Sequence, residues 1–191
     1  MATTDNSSAV FTLHSGNWLS NAKSNTTFEI GNGGSTAISR SYKALRINNR
    51  IINDIDKAPL TPEQKNEILG QAYFYRSWFY FQIIKRYGGM PIIDKVFEGG
   101  DDDIPRVTYH ESHDWMMEDI QKAIYMLPDS WDDPNYGRPT KITAMALKEW
   151  AQLFDASPLM QNDLNSTENK GYDTERAKSA AKSAYEVIRY M

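Results

Sequence analysis

"GQAYFYRSWFYFQIIKRYGGMPII" (residues 70–93) decides the fold. It holds eight aromatic residues and ends in a Gly-Gly pair followed by a proline. Three readings compete: a membrane segment, a ligand platform, or a helix enclosed by neighbours. Arg76, Gln82, Lys85 and Arg86 interrupt the run, and no stretch of the chain approaches the ~18 apolar residues a span needs. The membrane reading fails.

The ends of the segment favour a helix. Thr61 is a good N-cap, Pro62 suits the first turn, and Gln64 completes a Thr-x-x-Gln capping box. Gly88-Gly89 and Pro91 supply the stop. The helix should run from about residue 62 to about Tyr87, on the order of 38 Å. One row carries Ile68, Ala72, Phe79 and Ile83; another carries Leu69, Tyr73, Tyr80 and Ile84. Tyr75, Trp78 and Phe81 fill much of the rest. Apolar residues on several faces need cover on several faces. The segment reads as a central helix between neighbours, and Arg76 and the tyrosine hydroxyls then need partners.

Other helices flank it. "ISRSYKALRINNRIINDID" has Ile38, Tyr42, Leu45, Asn49 and Ile52 at helical spacing, starting near Ser35. After a loop with room for one short strand, Thr108 and Glu111 form a second capping box. His113, Met116, Met117, Ile120, Ala123, Ile124 and Leu127 line one side of that helix, and Pro128 closes it. Thr140 opens a fourth helix, with Ile142, Met145, Ala146, Trp150, Leu153 and Phe154 as its apolar side and Pro158 as its stop. A fifth starts near Asp173 or Thr174, with Ala177, Ala181, Ala184, Tyr185 and Ile188 as its apolar side. It is still in register at Met191, so the chain reads as part of a larger protein. With no neighbour, its Ala177/Ala181/Ala184 face should lie exposed or in a self-contact.

The fold class is mainly α: tetratricopeptide-like stacked helix pairs with long polar loops, a fragment of a larger helical and irregular fold. Residues 1–35 form a polar N-terminal loop region, and residues 36–191 form the helical scaffold. No strict 34-residue repeat is visible.

Composition narrows the function. The net charge is −4 and the basic residues form no stripe, which argues against a nucleic-acid partner. The absence of cysteine removes disulfides, thiolate metal sites and thiol catalysis. The first residues lack the basic and apolar regions of a signal peptide. No G-x-S-x-G, H-E-x-x-H, phosphate-loop or dinucleotide motif occurs. Glu118 and Asp119 are paired carboxylates expected on a solvated helix face. His110 and His113 share a helix, yet metal binding would need ligands from elsewhere, so ordinary surface or half-buried histidines are expected. Asp101-Asp102-Asp103 reads as a solvated acidic loop. No cofactor is expected beyond adventitious calcium at the acidic loops. Trp18, Trp131 and Tyr136 lie in polar loops rich in Asn, Asp and Arg, where stacking on a sugar competes with folding back on the domain.

The aromatic helix resembles the central signature of the SusD/RagB family: Phe/Tyr-Arg-x-Trp/Tyr, an aromatic pair, then Arg-Tyr/Phe-Gly-x-x-Pro-Ile. "IPRVTYHESHDWMMEDIQKAIYMLP", "GRPTKITAMALKEWAQLFDASPL" and "YDTERAKSAAKSAYEVI" are similar to its later segments, in order, and "YKALRINNRIINDID" fits upstream. Together they cover about residues 36–190. The resemblance implies a non-enzymatic, cell-surface lipoprotein of the outer membrane of Bacteroidetes-type bacteria. Such a protein binds oligosaccharides or other nutrients and partners a SusC-type TonB-dependent transporter. It also implies structural roles for Tyr73, Phe74, Arg76, Trp78, Phe79, Tyr80, Arg86, Gly88, Pro91, Arg106, Gly137, Arg138, Thr140, Lys141 and Pro158. The anchor cysteine is missing from this chain, and so is most of the family's irregular ligand-bearing region. That leaves Asn17, Trp18 and Asn32, with Trp131 and Tyr136, as ligand-contact candidates. The rival readings are a helical-repeat adaptor for protein partners and, behind it, a glycan-active enzyme with two inward carboxylates.

Overall fold

The computed structural model describes residues 37–97, 103–160 and 172–191. The chain groups into two units, Met1–Arg40 and Ser41–Met191. Of the first unit only residues 37–40 are described, and they begin a helix that continues into the second.

The described residues contain five α-helices: α1 (Ala37–Asp54), α2 (Pro62–Tyr87), α3 (Tyr109–Met126), α4 (Lys141–Asp155) and α5 (Thr174–Tyr190), with short 3-10 turns at Ile55–Lys57 and Asp133–Asn135. The main helix contacts run in chain order, α2 on α3, α3 on α4 and α4 on α5. Such sequential pairing is how helical-repeat layers bury faces that no single helix could bury alone.

Both capping boxes form. The Thr61 amide donates to Gln64 Oε1 at 3.0 Å, and the Gln64 amide donates to Thr61 Oγ1 at 3.3 Å. At α3 the Thr108 amide donates to Glu111 Oε2 at 2.8 Å, and the return bond is 3.2 Å. These bonds satisfy amides that a helix start otherwise leaves open. The stop of α2 is set by two glycines with different tasks. Gly88 has φ 74, a left-handed value. A Cβ on Gly89 would lie 2.0 Å from the Val107 carbonyl oxygen, so only glycine lets the α2 and α3 ends meet. Arg106 ties the same corner, donating to Gly89 O at 2.9 Å and Tyr87 O at 2.6 Å.

α2 is enclosed, as its pattern requires. Ala72, Phe74, Arg76, Tyr80, Phe81, Ile83 and Ile84 are all buried. The Tyr80 hydroxyl donates to Met90 O at 2.9 Å, and its ring meets Trp115 edge-on at 4.9 Å. Arg76 donates from Nε and Nη2 to both oxygens of Asp119, at 2.6 and 2.8 Å, and from Nη1 to Asn49 Oδ1 at 2.8 Å. Asn49 passes the link on, donating to the carbonyls of Ile93 and Lys95 at 2.9 and 3.0 Å. The Tyr73 and Trp115 rings lie 5.4 and 5.1 Å from the guanidinium. One side chain thus joins α1, α2, α3 and the segment after α2. That segment makes no strand among the described residues; Asn49 takes its carbonyls instead.

Asp119 corrects an expectation. Glu118 is exposed, but Asp119 is 1 % exposed, because it turns inward to neutralise Arg76. The apolar sides of α4 and α5 also differ from the expected ones. α4 buries Ala144, Leu147, Ala151 and Asp155, leaving Ala146, Trp150 and Leu153 exposed. α5 buries Ala180 and Ser183, while Ala181, Tyr185 and Ile188 face outward and Ala177 and Ala184 are half-buried. Small and polar residues fill the α4–α5 seam: Ser183 donates to Gln152 Oε1, and Lys148 pairs with Glu186 at 3.3 Å.

Asp155 is the hub between α3, α4 and α5. His110 Nδ1 lies 3.0 Å from its Oδ1, and Arg176 donates to its Oδ2 at 2.5 Å. His113 is buried, with Nδ1 3.1 Å from Asp114 and 3.8 Å from Asp155. A carboxylate only accepts, so His110 Nδ1 carries a proton. The histidines therefore serve an interhelical lock. Among the described residues no group of three metal-capable side chains converges.

Candidate functional site

The loop between α3 and α4 gathers the described ligand-contact candidates. Pro128 bars continuation of α3 and holds Leu127 extended, at ψ 143. The loop closes where the Lys141 amide donates to Pro128 O at 2.9 Å. A single 3-10 turn, Asp133–Asn135, shapes the tip, and Asn135 Nδ2 donates to Asp132 Oδ1 at 2.6 Å. Gly137 follows at φ 92 in open space.

Two aromatic residues on this loop behave differently. Trp131 folds back: its indole N–H donates to Pro139 O at 2.8 Å, and the Arg138 guanidinium covers the ring at 5.6 Å. Tyr136 projects from the tip and is 91 % exposed. Asp132, Asp133 and Arg138 of the same loop are exposed as well. A flat apolar face rimmed by donors and acceptors suits a pyranose ring, whose faces carry C–H bonds and whose edge carries hydroxyls.

α5 braces the base of the loop. The Tyr190 hydroxyl donates to Asp129, and Lys141 lies 3.9 Å from Asp129 and 5.2 Å from the Tyr190 ring. The Asp129 bond holds the Tyr190 phenol above its ordinary range. Thr140 ends the loop as the α4 N-cap, its amide donating to Thr143 Oγ1 at 3.3 Å.

Asn17, Trp18 and Asn32 lie outside the described residues, as do Asp101 and Asp102. Of the signature positions, Tyr73, Phe74, Arg76, Trp78 and Tyr80 belong to the α2 core and its rim. Arg86 bonds back to Gln82 O at 2.6 Å. Gly88, Pro91 and Arg106 lie at the α2–α3 corner, and Pro158 follows α4, exposed. Sequence reasoning missed Tyr190 and Tyr125. Tyr125 is 88 % exposed and lines an open groove of about 660 Å³ with Met117, Gln121 and Lys122. No helix among the described residues is long and apolar enough to cross a membrane.

A family model of SusD-like proteins, described as starch-binding and associating with the outer membrane, matches residues 1–149. This chain belongs to that family. SusD-like protein P38 of Formosa agariphila is 28 % identical over 102 residues, 52 % of this chain and 20 % of that protein. A SusD-like protein of Bacteroides fragilis superposes with TM-score 0.66 at 31 % identity, covering 80 % of this chain and 26 % of that one. A laminarin-binding SusD-like protein shares the fold, with TM-score 0.59 at 19 % identity, over 72 % of this chain and 31 % of its own. The chain thus spans about a fifth to a third of these relatives.

Proposed function

We propose that this chain is the helical scaffold of a cell-surface protein that captures oligosaccharides or similar nutrients. In the full-length protein a lipid anchor would hold it on the outer face of the outer membrane. It would pass its ligand to a SusC-type TonB-dependent transporter. Family membership over residues 1–149 carries this reading. Within the chain, the Pro128–Thr140 loop is the proposed contributor to capture. Tyr136 supplies a stacking face, Asp132, Asp133 and Arg138 supply hydrogen bonds, and Trp131 anchors the loop from beneath.

Affinity electrophoresis against a panel of soluble polysaccharides tests this. The chain should be retarded by at least one glycan, and Tyr136→Ala should weaken that affinity about fivefold or more, roughly 1 kcal/mol. No retardation by any neutral or anionic glycan would count against capture by this part of the protein. A second reading, a helical-repeat adaptor, draws on the outward Tyr185 and Ile188 of α5, 59 % and 71 % exposed. It expects a protein partner lost on Ile188→Asp and no glycan affinity.

A further inference from the structure

Lys65, Lys141 and Lys148 are half-buried, and each has a carboxylate in reach: Asp56 at 3.5 Å, Asp129 at 3.9 Å and Glu186 at 3.3 Å. Lys85 on α2 is half-buried too, yet no carboxylate among the described residues pairs with it. Glu149, beside Trp150 in sequence, forms no ion pair with it either. Its Nζ stands instead 4.3 Å from the centre of the Trp150 ring and 5.2 Å from that of Phe81. Ring faces steady an ammonium without neutralising it. The next residue, Arg86, adds a like charge.

These rings belong to a longer wall between α2 and α4. Phe81 meets Trp150 edge to face at 5.1 Å, Trp150 meets Trp78 at 5.8 Å, and Trp78 stacks on Phe74 at 6.5 Å. Tyr75 closes on Phe74 at 5.3 Å. The outer edge of the wall is open, with Tyr75, Trp150 and Leu153 38 %, 39 % and 58 % exposed. The Trp131 indole N–H has an acceptor, but those of Trp78 and Trp150 donate to none among the described residues. The wall thus presents apolar area, one uncompensated ammonium and two open donors.

We propose that the α2–α4 wall is a docking surface for an acidic segment of a protein partner. One carboxylate of that segment would sit on Lys85, and the apolar residue beside it would lie against Trp150 and Leu153. Charge complementarity selects this occupant. A half-buried cation without a counter-charge is the costly half of an ion pair, and a carboxylate completes it with charge-assisted hydrogen bonds. The apolar neighbour sheds water from the rings as it lies down. A pyranose fits less well, since it stacks on an open ring face and Trp150 already has the Lys85 amine over its own. A second copy fits less well again: its outward apolar residues Tyr185 and Ile188 stand among exposed Lys182 and Arg189, which repel Lys85.

The test is fluorescence anisotropy on the full chain with a short labelled peptide of alternating aspartate and leucine, and with its asparagine counterpart. The aspartate peptide should bind about fivefold tighter or more at low salt, and the preference should shrink as salt rises. Lys85→Gln should erase the preference. Lys57→Gln, at a lysine 74 % exposed and paired with Asp54, should leave it intact. Leu153→Asp should weaken the aspartate peptide further. In the unsubstituted chain, bound aspartate peptide should slow acetylation of Lys85 severalfold and leave Lys57 unchanged by peptide mass spectrometry, so the site is located even if Lys85→Gln fails to fold. Binding of neither peptide, equal binding of both, a preference that survives Lys85→Gln, or unslowed acetylation of Lys85 would overturn the proposal. So would displacement of the peptide by oligogalacturonate at a lower concentration than the peptide itself needs, or a dimer lost on Lys85→Gln, because a sugar or a second copy then holds the surface. The peptides carry no sugar, so the result is independent of whether this chain captures a glycan.

Discussion

Arg76 carries its charge into a site that leaves it 4 % exposed. Such a burial is tolerable only with a fixed counter-charge and full hydrogen bonding, which Asp119 and Asn49 provide. Removing one partner strands the other. Asp119→Leu or Arg76→Met should each cost about 3–5 kcal/mol in urea unfolding, whereas the double variant should recover much of that loss. Equal losses in singles and double would mean that the pair is not the unit. The need for a partner at Arg76 was legible from its place on an all-round apolar helix. The partner was not: Asp119 sits beside Glu118 in sequence, and only the rotation of α3 against α2 decides which carboxylate turns inward. Gly88-Gly89 was legible as a stop, but the approach of Val107 that makes Gly89 irreplaceable is a tertiary fact.

The elements divide by how their faces are written. α2 and α3 carry bulky apolar residues toward the core and strong capping boxes at their starts, so their limits and buried sides could be read directly. α4 and α5 each carry two apolar stripes, and periodicity alone favoured the bulkier one. Packing favoured the smaller, because Ala144, Ala151, Ala180 and Ser183 allow close approach and leave room for the Asp155 lock. The attachment of α5 is thus more polar than that of α2. Asp155→Asn weakens the bonds from Arg176 and His110, charge-assisted contacts together worth about 2 kcal/mol. Amide exchange in α5 should then quicken by roughly 30-fold while α2 changes little. Acid should loosen the same region. The bond from His113, joined by the nearby positive charges, holds Asp114 below the usual carboxylate range. The unfolded chain then binds more protons, so this contribution is full above about pH 4 and fades as pH falls further. Asp114 is largely exposed, which keeps the effect small. Protection factors in α5, corrected for the intrinsic exchange rate, that stay unchanged from pH 6 to pH 3 would refute it.

At the scale of the whole molecule, the sequence motifs and the helical stack point to the same family. A scaffold is read from periodicity and caps, and these depend on near neighbours in sequence. A ligand site depends on which loops meet, and that information is only partly local. Tyr136 could be named because a tyrosine in a polar loop has little core to join. Trp131 was named on the same ground, yet it turns back to Pro139 and supports the loop. Tyr190 escaped notice because it sits 61 residues from Asp129, at the end of another helix. Capture by the Pro128–Thr140 loop is accordingly a claim about geometry. It should survive Ala or Ser at Asp103, which lies in the acidic segment before α3, and should weaken at Tyr136 and Arg138.

The guanidinium of Arg138 over the Trp131 ring gives the loop an optical consequence. The other described tryptophans are committed elsewhere: Trp115 faces Arg76 and Tyr80, and Trp78 and Trp150 face each other. A ligand that draws Arg138 toward Tyr136 uncovers the Trp131 indole. Steady-state emission should then shift on binding, and Trp131→Phe should silence that shift. The loop would carry its own reporter, needing no attached dye.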